Sequence, residues 1–292
     1  MPTPHSGYVT LNVEHFWGNY CPMEWFTILL SSFIAAITPV GFIVDTVVAN
    51  TLRAQVAGVE ELAVRVDNTP SYQPIQGKVD RIRIASRGLE PIENLRIDSF
   101  ELETDPLDFD LNRIQQPGGI KKLRESLRKP FQGAFRMVIK ETDLNQALES
   151  PNIKVQIQKL LDQVLPPQAP RFEIVKLRLN FLQENRLGLE VELKQEAEEG
   201  QESNQLDITA EVSFQVEGGR SIKLIDLSAT LNERKLSQRF LGLLTEGINQ
   251  QLDLAIFENQ GFIARILKLN LNEDTLDIVA FFRLNPASAE EP

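Results

Sequence analysis

Apolar and polar residues alternate over most of the chain, and the alternation divides it into strands, turns and a few helical stretches. Leu62, Val64 and Val66 alternate, and the turn-rich NTPSYQPIQG at Asn68–Gly77 separates them from the strand VDRIRIA. LRIDSFELET follows, then LDFDL, in which Leu107, Phe109 and Leu111 alternate. Within LRIDSFELET the apolar phase moves from Leu95 and Ile97 to Phe100 and Leu102. A one-residue change of phase predicts a β-bulge, which bends and twists a sheet. After the strand FQGAFRMVIK, the second half repeats the pattern. Leu187, Leu189, Val191 and Leu193 alternate, as do Leu206, Ile208, Ala210, Val212, Phe214 and Val216, with the acidic loop EAEEGQESN between them. Arg220–Leu231 changes phase again, from Ile222 and Leu224 to Ile225, Leu227, Ala229 and Leu231. A closing hairpin, ILKLNLNEDTLDIVAFFRL, turns at Asn272–Asp274.

Helical spacing predicts the remaining elements. Val48, Leu52 and Val56 share one face of a helix over Asp45–Glu60, and a second helix falls at Ile120–Leu127. Thr142 is placed to cap a short helix in TDLNQAL, and a longer one runs from Asn152 to Leu165 before PPQAP stops it at Pro166–Pro170. An amphipathic helix spans Leu236–Glu258, with Phe240, Leu244, Ile248 and Leu252 stacked at a spacing of four. Short turns and one polar face per strand indicate an antiparallel sheet with one solvated side. Repeated bulges add curvature. The expected architecture is α+β, a curved antiparallel sheet wrapped around long helices.

Ahead of these elements, Trp25–Val44 is a run of twenty uncharged positions, about the length that crosses a bilayer core. Pro39 and Gly41 interrupt it, and Glu24 stands where a secretory signal would carry a cation. Residues 23–44 read as an anchor or signal-like segment, with a first helix packed inside the domain as the alternative. Residues 1–22 lack periodicity and read as a disordered leader or a misassigned start. That leaves one domain at 45–285 and a tail at 286–292.

Composition then narrows the chemistry. A net charge of −11 disfavours nucleic acid, whose phosphates an acidic protein repels. The only cysteine, Cys21, and the only histidines, His5 and His15, precede Met23. From residue 23 onward there is neither thiol nor imidazole, so Ser-His and Cys-His nucleophile pairs and the preferred ligands of zinc, copper and haem are missing. No phosphate loop or dinucleotide fingerprint is present, and Gly118–Gly119 lacks the parallel strand such a loop needs. The carboxylates Asp98, Glu101, Glu190, Glu192, Asp207 and Glu211 fall opposite apolar residues, as solvated strand faces. The expectation is a non-enzymatic protein with no cofactor and no metal. One local reversal of charge stands out: Lys121, Lys122, Arg124, Arg128 and Lys129 are candidates to meet anionic headgroups.

The apolar stripes are the other candidate. Leu206, Ile208, Val212 and Phe214 on a strand, with Phe240, Leu244, Ile248 and Leu252 on the helix, would form either a closed core or the walls of an open groove. Acyl chains would fill such a groove at about 0.8 kcal/mol per buried CH₂. The segment order, and above all QGKVDRIRIASRG and ETDLNQAL, resembles the LmeA-like phospholipid-binding family, over roughly residues 40–285 and with wording similar to its cyanobacterial branch. That resemblance implies a tubular lipid-binding (TULIP, BPI-like) fold, a phospholipid partner and association with a membrane of the cell envelope or interior. A membrane-tethered scaffold that binds a protein and no lipid is the alternative.

Overall fold

The structure, a computed structural model, describes residues 49–50, 52–54, 56–69, 73–114, 119–164, 171–195 and 204–287. The apolar run Trp25–Val44, the leader before it, the acidic loop at 196–203 and the tail from 288 lie outside the described residues. In chain order, β1 (Gly58–Asp67), β2 (Lys78–Val79), β3 (Arg81–Ile92), β4 (Leu95–Thr104) and β5 (Leu107–Asp108) lead to α1 (Leu111–Ile114) and α2 (Gly119–Ser126). Then come β6 (Phe131–Lys140), α3 (Glu141–Glu149) and α4 (Pro151–Val164). The meander β7 (Phe172–Leu182), β8 (Arg186–Gln195), β9 (Gln205–Glu217), β10 (Ser221–Leu231) and β11 (Arg234–Lys235) follows. Helix α5 (Gln238–Gln251), a 3-10 segment at Leu254–Gln260, β12 (Phe262–Leu271) and β13 (Thr275–Leu284) complete the order.

The strands form two antiparallel sheets where the alternation suggested one. The first has the order β1-β3-β4-β6-β13-β12 and the second β11-β10-β9-β8-β7, with β2 and β5 as a separate small pair. The chain leaves the first sheet after β6 and re-enters at β12, and residues 141–261 between them build the second sheet and its helices. The Asn185 carboxamide, held in the β7–β8 turn at a φ of 55°, accepts from Leu271 N at 2.7 Å, while Ile266 N donates to Gly219 O at 2.6 Å. These bonds tie one end of the second sheet to the edge of the first.

The first sheet carries the dry core. Ile82 and Ile84 of β3, Phe131 of β6, Phe262 of β12, and Phe282 and Leu284 of β13 are buried under Val79, Leu107, Phe109, Leu123 and Leu127. The apolar side of α2 is thus taken up by this core. Phe131 and Phe282 meet edge to face with ring centroids 5.2 Å apart, a geometry worth more than area burial alone. Gly77 sits at a φ of 78° against the Phe109 carbonyl, where a Cβ would collide. The turn into β2 therefore requires glycine.

Several boundaries differ from the periodic reading, each for a tertiary reason. The helix expected over Asp45–Glu60 has ended by Gly58, which opens β1 opposite Glu90. The short helix begins at Glu141, one residue before the expected cap Thr142, with Lys140 at the N-cap and no side-chain bond there. The long helix of Leu236–Glu258 breaks at Leu252 and Asp253, because backbone bonds there go elsewhere. Ile222 N donates to Leu252 O at 3.1 Å and Leu254 N to Arg220 O at 3.0 Å, pinning the break to the start of β10. The phase change in Arg220–Leu231 is a bulge, with a register shift between Ile225 and Ser228 and Asp226 at a φ of 54°. The phase change in LRIDSFELET is not. β4 keeps one register against β6 and shifts against β3 only near the hairpin, between Leu89 and Ile92. Ile97 and Leu102 simply bury opposite faces of one straight strand. Further shifts at Ile174/Lys176 and Ile266/Lys268 give both sheets curvature.

Two outcomes test this account. Phe282→Ala removes half of the aromatic pair and lowers unfolding stability by about 3–5 kcal/mol in urea titration. Asp277 is held below the ordinary carboxylate range first by its hydrogen bond from Arg136, and Asp98 first by its bond from Lys140. Stability from such depressed carboxylates is complete above the unfolded value of about 3.9 and is lost as pH falls through the folded one. The urea midpoint is therefore flat above pH ~5 and falls below pH ~4, less steeply in Asp277→Asn.

Candidate lipid-binding face

In the second sheet the register brings apolar residues of neighbouring strands into rows. Leu177, Val191, Ile208 and Leu231 form one row across β7, β8, β9 and β10, and Leu179, Leu189, Ala210 and Ala229 form the next. The opposite face is polar: Lys176 bridges to Glu190 and Glu192, and the hydroxyls of Thr209 and Thr230 bond at 2.7 Å. An alternating sheet of this kind normally buries its apolar side on a partner layer.

Here the covering is incomplete. On the apolar face Phe181, Leu193 and Leu224 are buried, whereas the two central rows, with Leu206, Val212 and Phe214, stay half-buried. Four full-length strands give a floor roughly 14 Å across, and ten residues along a strand extend roughly 33 Å. One leaflet of a bilayer core is about 15 Å thick, so the floor is longer than the tails of a phospholipid.

The helices lie along the two edges of this sheet, held by side-chain amides that take the place of a missing strand. On the β7 edge, the Asn145 carboxamide accepts from Leu179 N at 2.8 Å and donates to Leu179 O at 2.7 Å. Gln158 of α4 likewise accepts from Ile174 N at 3.0 Å and donates to Phe172 O at 2.6 Å. On the β10 edge, Asn249 of α5 accepts from Leu224 N at 2.7 Å and donates to Leu224 O at 3.3 Å. Edge backbone groups are thereby satisfied, and among the described residues the helices contact the sheet at its edges.

The orientation of α5 follows from these bonds. Leu241, 3% exposed, together with Thr245 and Asn249, faces β10. Its polar side, Gly242, Glu246 and Gln250, lines a cleft of about 610 Å³ with Lys223 and Asp226. Lys223 alternates with Leu224, so that cleft lies toward the polar side of the sheet. The helix's apolar side, Phe240, Leu244 and Ile248, lies on the flank away from that cleft. These three are 46%, 37% and 42% exposed, and Leu243 is 63% exposed. Leu252 is half-buried at the helix end. A smaller cavity of about 320 Å³ opens beside Phe214 and Val216, with Leu267 of β12 at its rim.

The basic cluster is placed differently. Lys122 pairs with Glu125 at 2.9 Å. Arg124 donates through Nε to Asn285 O at 3.1 Å, and Arg128 reaches Gln76 O and Asp108. Three of the five cations are thus bonded to the protein itself. Lys129 is exposed, and the side chain of Lys121 is outside the described residues. Among the described residues no group of three His, Cys, Asp or Glu side chains is placed to hold a metal, and no helix is long and apolar enough to cross a membrane.

The model of the LmeA-like phospholipid-binding family matches residues 35–281. The chain belongs to this family. No curated protein matches it. The amide clamps Asn145, Gln158 and Asn249 escaped the periodic reading, although each leaves a trace in it. Asn249 falls in the stripe Leu241, Thr245, Leu252, a lone carboxamide among residues that face inward.

Removing one clamp isolates its contribution. Asn249→Ala leaves Leu224 N–H and C=O without their partner and costs about 1–3 kcal/mol. Hydrogen exchange is expected to accelerate at Leu224 and along α5, while amides of the first sheet near Phe282 keep their protection.

Proposed function

We propose that this LmeA-like protein holds a phospholipid on the open face of its second sheet, without catalysis and in association with a membrane. The observation that carries the reading is that the rows through Val191, Ile208, Leu189 and Ala210 are only half-buried. Each is flanked by apolar neighbours on both sides, yet none is sealed. Hydrocarbon tails complete this layer at about 0.8 kcal/mol per CH₂ removed from water. Leu206, Ile208, Val212 and Phe214 form part of the floor, and Phe240, Leu244, Ile248 and Leu252 line the wall on one side. The curved sheet and its flanking helices together enclose the tails, in the manner of a tubular lipid-binding domain.

In this reading the lipid-binding domain spans residues 45–285, and residues 23–44 hold it at a membrane of the cell envelope or interior. Carrying a lipid between membranes is compatible with the same open face, since tails can leave by the route they enter.

Protein purified from its native host is expected to carry about one phospholipid per chain in native mass spectrometry. Val191→Asp together with Ile208→Asp puts two carboxylates in the middle of the floor, where tails would strip their water. Occupancy is then expected to fall by at least about tenfold, a change worth only ~1.4 kcal/mol. Because both positions keep some contact with water in the lipid-free protein, its circular dichroism should be unchanged. Wild-type protein free of lipid, or a variant that binds as well as wild type, contradicts the proposal.

A further inference from the structure

We infer that α5 and the short strand before it form the surface by which the protein rests on an anionic bilayer, at the margin of the lipid-binding face. The inference rests on that face being the lipid site. At 100° per residue, the side of α5 that is neither against β10 nor in the polar cleft carries Phe240, Leu243, Leu244, Gly247 and Ile248, with no charge among them. Phe240, Leu244 and Ile248 lie on the flank of the helix away from the cleft, while Leu243, 63% exposed, points away from the protein. An apolar stripe thus runs continuously from the margin of the face to the outer surface.

Cations flank this stripe in a chain whose net charge is −11. Arg234 and Lys235 of β11 and Arg239 in the first turn of α5 are all exposed, and among the described residues none of them forms an ion pair. A cation in the first turn is opposed by the helix dipole, so Arg239 gains nothing from its position in the fold. Apolar helix face and adjoining cations make up the pattern of an interfacial helix on acidic lipid. A second copy of this chain on the same surface would set three cations against three, which favours the bilayer as occupant.

The test uses the full chain with Leu243→Trp, and with Trp17→Phe and Trp25→Phe so that position 243 carries the only indole. Vesicles of phosphatidylcholine containing phosphatidylglycerol, with brominated acyl chains, should shift its emission to the blue and quench it. Neutralising Arg234, Lys235 and Arg239 to Gln is expected to weaken vesicle affinity by about fivefold per cation, with bound phospholipid unchanged in native mass spectrometry. Emission indifferent to vesicles overturns the inference, as does equal affinity for vesicles of phosphatidylcholine alone. A shift that follows protein concentration without vesicles also overturns it, by making the stripe a self-association surface. Quenching by vesicles in a protein that carries no lipid upholds the docking surface and removes the lipid site instead.

Discussion

The second sheet depends on a substitution of side-chain amides for a neighbouring strand. β7 and the exposed part of β10 would otherwise present bare backbone, the usual template for pairing with another chain. Asn145, Gln158 and Asn249 each offer one acceptor and one donor at the spacing a strand would supply. The consequence reaches beyond satisfied hydrogen bonds. A helix held by its amides at a sheet edge is not free to lie across the sheet, so among the described residues no helix covers the apolar floor. The openness of the face follows from the way its edges are closed.

The two sheets show what one chain can do with the same alternation. In the first, strands of twofold period meet β2, β5, α2 and the 3-10 segment, and thirteen buried residues form a single cluster. In the second, strands with the same alternation meet helices, among the described residues, at the sheet's margins. The first sheet is tied to the second through Asn185 and Gly219, so the packed half holds the unfinished half in shape. That division of labour lets an exposed apolar surface persist without the domain collapsing onto it.

The strands, their antiparallel pairing and the bulge in β10 were legible because period-two alternation is a local signal. The split into two sheets was not, since each strand alternates in the same way whichever sheet it joins. The stripe Phe240–Leu244–Ile248 was read correctly as apolar, but the helix docks through Leu241, Thr245 and Asn249 instead. A carboxamide bonded to an edge backbone outweighs the preference of the greasier side for the interior, and hydrophobic spacing cannot register that competition. The cluster Lys121–Lys129 shows the same limit, because a count of cations does not reveal that Arg124 and Arg128 are spent on carbonyls of distant segments. The three cations Arg234, Lys235 and Arg239 are sparser in sequence and drew no notice, yet the fold leaves all three exposed.

An apolar layer half open to water is a standing cost to the lipid-free protein, and that cost bears on how the face works. A chain selected only for stability would fill the rows of Leu177, Leu179, Leu189 and Val191 with a helix laid across them, as α2 does for the first sheet. Leaving them open lowers the stability of the empty state and widens the gap between empty and filled. On the proposed reading, a bound tail raises stability by RT ln(1 + [L]/Kd). On the proposed reading, exchange of lipid is coupled to local loosening of the sheet edges, where α4 and α5 are held by amide bonds. The same bonds that keep the floor uncovered therefore set how readily its walls can part.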